Sequence, residues 1–330
     1  MKVAINGFGR IGRQFFLAAM QQKIKWDFII NNPSDLDSIV YLLKHDSVYS
    51  PPKENITHDR KHLIFGGKKI KVISEQDPEK LPWKKESVDI VIECTGKFTH
   101  GEDAIKHITA GAKKVLISAP GKNCEATIII GVNDSLLKNQ KIVSAGSCTT
   151  NCVAPLVKVL DDAFQIQEVL FITTHAYTSS QHLVDAYEKK DVVRGRAAGV
   201  NIIPTTSGAA TSAIEAIPSL KGKLDGYALR VPVVDGSIAS LFAKVKKKVT
   251  KEQINSVFKN KASRQLKNII QYSNEKLVST DIIGNTHSCI YDSNMTYIVG
   301  DLISIAAWYD NEMGYAYRLA DVAKLMLKNK

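Results

Sequence analysis

The segment Ser147-Cys148-Thr149-Thr150-Asn151-Cys152 sets a thiol among hydroxyl residues at what reads as a helix start. The open N–H groups and partial positive charge of a helix N-terminus favour thiolate over thiol. They also receive an anion or a developing oxyanion. Cys148 is therefore a candidate nucleophile. Downstream, Thr173-Thr174-His175-Ala176-Tyr177-Thr178 ends a strand pattern with a histidine. A thiol and an imidazole can form an activated pair in which the ring then shuttles protons. Alone, His175 reads better as a satisfied interior histidine; a nucleophile and a cofactor pattern in the same chain favour catalysis. Two further segments suit anions. Pro204-Thr205-Thr206-Ser207-Gly208-Ala209-Ala210 offers hydroxyls and a glycine at a helix start, which is either a cap or an anion site. Arg230 lies inside a strand pattern and needs a partner, either an internal carboxylate or a phosphate.

A second chemical pattern opens the chain. Gly7-Phe8-Gly9-Arg10-Ile11-Gly12 fits G-x-G-x-x-G, follows a strand at residues 3–6 and opens a helix over about residues 10–22. In that context the glycines allow a tight turn and close approach of a dinucleotide pyrophosphate, which faces the helix N-terminus. The second strand, residues 28–31, runs into Asn31-Asn32-Pro33 where an acidic residue would select the ribose 2′-hydroxyl of NAD. An amide accepts that hydrogen bond but does not repel a 2′-phosphate. A carboxylate 4 Å from one unit of phosphate charge costs about 4 kcal/mol at an effective dielectric near 20. NAD or NADP is therefore admissible, with Ser34 as a hydroxyl partner for the latter.

These groups need a scaffold. Buried strands are expected at 88–93, 115–118, 127–131 and 142–144, alternating with helical patterns, which predicts a parallel sheet with helices packed on it. After Cys148 the character changes. A helix is expected over 149–164, bent or disrupted early by Pro155. Strands follow at 169–174, 227–231, 238–245 and 304–309, with a long charged loop at 178–201 of the kind that is usually functional. Residues 315–328 place Leu319, Val322, Ala323, Met326 and Leu327 on one helical face, for which the first domain is the expected host. The fold class is thus α/β, a Rossmann-type parallel-sheet domain followed by an α+β catalytic domain, with the C-terminal helix returning to the first. The expected domains are 1–147 with 313–330, and 148–312.

At 330 residues the chain suits two domains. No run of eighteen apolar residues and no signal-peptide pattern are seen, so a cytoplasmic protein is expected. The five cysteines are odd in number and not spaced as a disulfide framework or a metal site, so no metal is expected. Cys94 and Cys289 read as buried apolar fillers. The net charge of +11 includes the run Lys244-Val245-Lys246-Lys247-Lys248. It reads as a solvated strand or, alternatively, as a surface for polyanions. No nucleic-acid motif accompanies it, so nucleic acid is not expected as a primary partner.

Several strings together resemble phosphorylating glyceraldehyde-3-phosphate dehydrogenases over nearly the whole length. They are residues 5–13, Glu93-Cys94-Thr95-Gly96-Lys97-Phe98, Ile117-Ser118-Ala119-Pro120, the Cys148 string, His175-Ala176-Tyr177-Thr178 and Trp308-Tyr309-Asp310-Asn311-Glu312-Met313-Gly314-Tyr315. The resemblance implies reversible oxidation of glyceraldehyde 3-phosphate to an acyl phosphate through a Cys148 thioester, with His175 as proton carrier. It implies Thr178 and Arg230 at the substrate phosphate. It places Ser147, Thr149, Ser207 and Gly208 at inorganic phosphate, with Arg194 or Arg196 nearby. Asn311 would hold the nicotinamide carboxamide, and Ser118 would lie along the cofactor. A homotetramer is implied, with the long loop reaching a neighbouring subunit's cofactor. Asn32 stands where NAD-dependent members carry aspartate, Gln76 replaces an arginine, and Tyr187 replaces a proline that helps exclude a 2′-phosphate. Acceptance of NADP is the expectation, and it would suit a biosynthetic direction of flux. Ser207 replaces a threonine, Thr211 a lysine, and Asp235-Gly236 also departs from the pattern. The alternatives are an erythrose-4-phosphate dehydrogenase, whose glutamate near position 32 is absent, and an added nucleic-acid-binding role of the basic surface. A cysteine protease would leave the glycine fingerprint unexplained.

Overall fold

The computed structural model describes residues 1–189 and 191–328. Two compact units are formed. The first comprises Met1–Ile128, Asp134–Gly146 and the residues from Ala316 onward; the second comprises Ile129–Asn133 and Ser147–Tyr315.

In chain order the first unit holds β1 (Lys2–Asn6), α1 (Arg10–Gln21), β2 (Asp27–Asn31), α2 (Leu36–Lys44), β3 (Ile56–His58), β4 (His62–Phe65), β5 (Lys68–Ile73), α3 (Trp83–Glu86), β6 (Ile90–Glu93), α4 (Gly101–Thr109), β7 (Lys114–Ile117), β8 (Ala126–Thr127) and β9 (Ile142–Ser144). Among the described residues its sheet runs β3-β4-β5-β2-β1-β6-β7-β9-β8. It is parallel from β5 to β8, and β3 and β4 add an antiparallel edge. The strand order reverses at β1, whose neighbours are β2 and β6. Ligands of open α/β sheets bind at such a reversal, beyond the carboxyl ends of the strands. The parallel Rossmann-type sheet is as expected. One strand is shorter than expected: the run 127–131 pairs only through Ala126–Thr127. Ile129 instead joins the apolar core of the second unit, and Gly131 takes φ +79 against Leu266 there.

The second unit holds α5 (Cys148–Phe164), β10 (Ile166–Ala176), β11 (Ile203–Thr206), α6 (Ala209–Ala216), β12 (Leu224–Val231), β13 (Ser237–Val245), α7 (Lys251–Ser263), β14 (Ile270–Ser273), β15 (Cys289–Val299) and β16 (Leu302–Tyr309). Its mixed sheet runs β11-β12-β10-β13-β16-β15-β14 among the described residues. Pro155 does not break α5, which continues through it to Phe164. Proline costs a helix one hydrogen bond and a steric clash. Val153, Ala154, Leu156, Val157 and Leu160 are all fully buried in the core, and that packing outweighs the loss.

The last helix, α8 (Met313–Lys328), begins in the second unit and ends on the first. There Tyr317 donates to Gln21 at 3.0 Å, Lys324 to Gln22 at 2.5 Å, and Lys114 to the Met326 carbonyl at 2.5 Å. Leu319, Ala323 and Met326 on its apolar face are fully buried.

The carboxyl ends of β1, β2 and β6 are tied by a buried polar network. Asn6 donates to Glu93 at 2.6 Å and accepts from Asn31 at 2.7 Å. His107 meets the same Glu93 oxygen at 3.0 Å, and the Trp83 indole donates to His107 Nδ1 at 3.0 Å. An indole nitrogen only donates, so Nδ1 is the bare nitrogen and the ring proton sits on Nε2, facing Glu93. The second Glu93 oxygen accepts from both the backbone and the hydroxyl of Thr95. Removing one member of such a network leaves a buried group unpaired. His107→Ala is expected to lower unfolding free energy by about 3 kcal/mol in urea titration followed by tryptophan fluorescence. A loss below about 1 kcal/mol would mean the network contributes little.

Candidate active site

Cys148 is the first residue of α5, and its position is set by the residue before it. Ser147 caps the helix, its hydroxyl accepting from Thr150 N at 3.0 Å while the Thr150 hydroxyl accepts from Ser147 N at 3.1 Å. This reciprocal box holds the helix start, and with it the thiol, in one geometry. His175 lies near the end of β10, and its Nε2 is 3.4 Å from the Cys148 Sγ. The two candidates therefore meet.

Arg230, on β12, is the register partner of His175 on the parallel neighbour. Its Nη1 donates to His175 Nδ1 at 2.7 Å and to the Ala176 carbonyl at 3.0 Å. Of the two partners open for it in the sequence, the internal carboxylate is not found among the described residues. Nδ1 also lies 2.6 Å from the Ala176 carbonyl, so it either accepts from Arg230 or donates to that oxygen. A nitrogen cannot do both.

The electrostatics differ from the sequence expectation of a thiolate. Burial pushes the Cys148 thiol above its usual value, against the pull of the Arg230 charge and of Thr149 hydrogen bonds. Burial, and then the Arg230 guanidinium, lower the His175 imidazole to about 3. The free protein thus holds a neutral thiol beside a neutral ring. A helix start gives a fraction of a kcal/mol to a kcal/mol or so, less than the desolvation of a buried charge.

Tyr309, at the end of β16, was not singled out from the sequence, where it reads as a core strand residue. Its hydroxyl joins Thr149 at 2.9 Å to Thr173 at 2.7 Å, and its ring meets His175 edge-on at 5.9 Å. It ties the helix start to the histidine strand. Ser237 was also missed. It accepts from Ala176 N at 3.1 Å and donates to Asn311 Oδ1 at 2.7 Å. Asn311 is thereby fixed and buried. Asp310 beside it accepts from Glu312 N and Met313 N, opening α8.

The anion-binding candidates are each held by local contacts. Ser147 is engaged in the cap and Thr149 is buried against Tyr309. Ser207 accepts from Ala209 N at 3.3 Å, and Gly208 precedes α6. Arg194 donates to the Thr206 carbonyl at 3.4 Å, next to Ser207, and pairs with Asp191 at 3.3 Å. Its charge also acts on Arg230. Arg196 is exposed and paired with Asp185 at 3.0 Å. Thr178 bonds Ser180 at 3.0 Å, and Tyr187 is exposed in the same loop.

In the first unit, Gly7 has φ +90, and a Cβ on Gly12 would collide with the Gly7 carbonyl. The turn therefore needs both glycines. Gly9 precedes α1, which has no side-chain cap and no acidic residue in its first turn, so its start is open to a pyrophosphate. The Arg10 guanidinium is held by both oxygens of Asp46, leaving backbone as what Arg10 and Ile11 offer there. Asn32 Oδ1 accepts from Phe8 N at 3.0 Å. Gln76 is exposed just past Glu75, whose backbone is clamped by Asn31. Ser118 follows β7, its N–H bonded to the Glu93 carbonyl at 3.0 Å. Cys94 is half-buried rather than an enclosed filler, and burial pushes its thiol up to about 12; Cys289 is fully buried.

A Rossmann-type unit with an open, glycine-built helix start, and a unit carrying a paired cysteine and histidine, define a nicotinamide-dependent dehydrogenase. Residues 1–101 match the profile described as the glyceraldehyde 3-phosphate dehydrogenase NAD binding domain, and residues 147–311 match that of its C-terminal domain. Glyceraldehyde-3-phosphate dehydrogenase 2 of Streptomyces avermitilis is 46% identical over 326 residues, 98% of this chain and 97% of the relative. The enzyme of Geobacillus stearothermophilus is 45% identical over 98% of this chain and 97% of its own, and glyceraldehyde-3-phosphate dehydrogenase 2 of Bacillus subtilis is 44% identical over 98% and 96%. The chain belongs to the glyceraldehyde-3-phosphate dehydrogenase family.

The depressed imidazole has a consequence for stability. The unfolded chain takes up the His175 proton near pH 6.5, while the folded chain resists it down to about 3. The stabilisation is complete above pH 6.5 and is lost as the pH falls towards 3. Between pH 7 and 5 the native protein should lose about 2 kcal/mol more than His175→Asn, measured by urea unfolding at each pH. Equal losses would show that the ring is not held neutral.

Proposed function

We propose that the protein catalyses the reversible, phosphorylating oxidation of glyceraldehyde 3-phosphate to an acyl phosphate. The Cys148–His175 contact carries this reading. The Cys148 sulfur attacks the aldehyde carbon; a C–S bond forms, the C=O π bond opens, and the thiol proton passes by way of His175 to the oxygen, giving a hemithioacetal. His175 Nε2 takes the hydroxyl proton as the carbon is oxidised to a thioester. NAD or NADP, when bound, supplies the hydride acceptor. Inorganic phosphate then attacks the thioester carbon, the C–S bond breaks, and the leaving sulfur takes back the proton held on His175. Arg230 and Thr178 hold the substrate phosphate. Ser147, Thr149, Ser207, Gly208 and Arg194 form the inorganic-phosphate site around two helix starts.

The residues of the first unit fit the cofactor. The Gly7–Gly12 turn and the uncapped start of α1 receive the pyrophosphate, with Asn32, Gln76 and Ser118 along the nucleoside side. Asn311, whose Oδ1 is taken by Ser237, has its amide hydrogens left for the carboxamide. Asn32 favours NADP for a related reason. Its oxygen is spent on Phe8 N, so it turns a donor and no negative charge towards a 2′-phosphate. Tyr187 is consistent with the same preference. The protein acts as a homotetramer in the cytoplasm. None of the five cysteines is in a disulfide among the described residues, and a nucleophilic thiol needs a reducing compartment.

An absorbance assay at 340 nm with glyceraldehyde 3-phosphate tests the reaction. Turnover should require inorganic phosphate and vanish in Cys148→Ser; turnover without phosphate, or in that variant, would overturn the reading. Cofactor choice is read from kcat/KM ratios. NADP should match or exceed NAD, and Asn32→Asp should shift the ratio towards NAD by about tenfold or more. A large native advantage for NAD would contradict the Asn32 argument.

A further inference from the structure

Ser237, the first residue of β13, is buried and carries two anchors at once. Its oxygen accepts from the Ala176 N–H at 3.1 Å, and its one hydrogen goes to Asn311 Oδ1 at 2.7 Å. The Ala176 carbonyl in turn lies 2.6 Å from His175 Nδ1. A single hydroxyl therefore holds both the residue on which the imidazole rests and the Asn311 amide. The turn before it is shaped to deliver it there. Asp235 is fully buried, and its Oδ1 accepts from Gly236 N at 2.8 Å. Gly236 has φ +88, and a Cβ on it would lie 2.4 Å from the Ser279 carbonyl oxygen, so only glycine fits. On the other side Ser237 is the register partner of Tyr309 on β16. The backbone of Ser237 is thus fixed by the turn and by the sheet, and its hydroxyl has little freedom.

We propose that Ser237 is a positioning residue for hydride transfer. It orients the Asn311 amide so that only hydrogen-bond donors face the nicotinamide carboxamide, and it ties that orientation to the strand end bearing His175. This rests on the reading of Asn311 as the carboxamide ligand. A side-chain amide offers an acceptor at one end and two donors at the other, and a half turn exchanges them. With Oδ1 spent on Ser237, the Nδ2 hydrogens are left for the carboxamide oxygen, and the carboxamide nitrogen finds no acceptor on Asn311. The reverse setting would aim both Nδ2 and the Ala176 N–H at the hydroxyl oxygen and leave the hydroxyl hydrogen without either partner. One rotational setting of the nicotinamide is therefore favoured, and with it one face of the ring towards the carbon being oxidised. Without the hydroxyl, Asn311 is free to turn and the ring is accepted in both settings. Binding is then largely kept, while the share of the bound ring in a reactive position falls.

Ser237→Ala should lower kcat on glyceraldehyde 3-phosphate about tenfold, while the Kd of the preferred cofactor, measured by calorimetry, changes by less than about threefold. Substrate deuterated at the aldehyde carbon should show a larger isotope effect on kcat in the variant, because hydride transfer becomes the slow step. Ser237→Thr, which keeps the hydroxyl, should recover most of the loss. A merely structural role would reduce the number of active sites titrated by alkylation and leave kcat per site and the isotope effect unchanged, and that result would overturn the proposal. A binding measurement on the native protein needs no variant. A cofactor analogue with an acetyl group in place of the carboxamide keeps the carbonyl and lacks the NH2. It should bind within about threefold of the parent cofactor; a loss of about tenfold or more would mean that Asn311 accepts from the NH2, and would equally overturn the proposal. Asn311→Ala separates the two failures. If it leaves cofactor Kd and kcat unaltered, the reading of Asn311 falls and this proposal with it. If it impairs them while Ser237→Ala does not, the proposal alone falls.

Discussion

An imidazole buried against a guanidinium is the constraint around which the second unit is organised. Burial and the positive neighbour both oppose a charge on His175, and burial opposes one on Cys148. The pair is therefore neutral in the free protein. The helix start at Cys148 contributes a field of the right sign, but desolvation is the larger effect.

The scaffold holds the two groups by rigid elements. Register pairing of β10 with β12 puts Arg230 beside His175, and the Ser147–Thr150 cap fixes the thiol. Tyr309 bridges Thr149 and Thr173, so the helix start and the strand that bear the chemistry share one hydroxyl. The phenol is fully buried and its proton is held tightly by desolvation, which leaves it one hydrogen to donate and an oxygen to accept between the two threonines. The first unit solves its own problem by similar means. Asn6, Asn31 and Glu93 cross-link the carboxyl ends of three strands, and His107 and Trp83 complete the chain of hydrogen bonds. The strand ends beside the glycine turn are held by side chains as well as by the sheet.

Much of this was legible in the sequence where local rules decide. The glycine turn, α1, the parallel strands and the helix at Cys148 follow from period, spacing and turn chemistry. The antiparallel edge of β3 and β4 did not show, because it lies in a polar stretch with little alternation. The strand expected at 127–131 failed because its apolar residues serve another core. Pro155 argued against a helix that tertiary burial sustains. Cys148 and His175 stood out by residue type, yet their contact, 27 residues apart, is a property of the fold. Tyr309 and Ser237 act only through what they touch, so nothing in their types marked them. That burial opposes a charge on both groups was not legible, because spacing carries no information about desolvation.

The central claim is that the Cys148 sulfur carries the substrate covalently through the oxidation. It is tested by mixing the protein with glyceraldehyde 3-phosphate and NADP without inorganic phosphate, quenching in acid and mapping the adduct by peptide mass spectrometry. A burst of reduced cofactor near one per subunit, with an acyl group on the peptide holding Cys148 and its loss on adding phosphate, is the result predicted. A burst with that peptide unmodified, or with the acyl group on Cys152 or Cys289, would contradict the account.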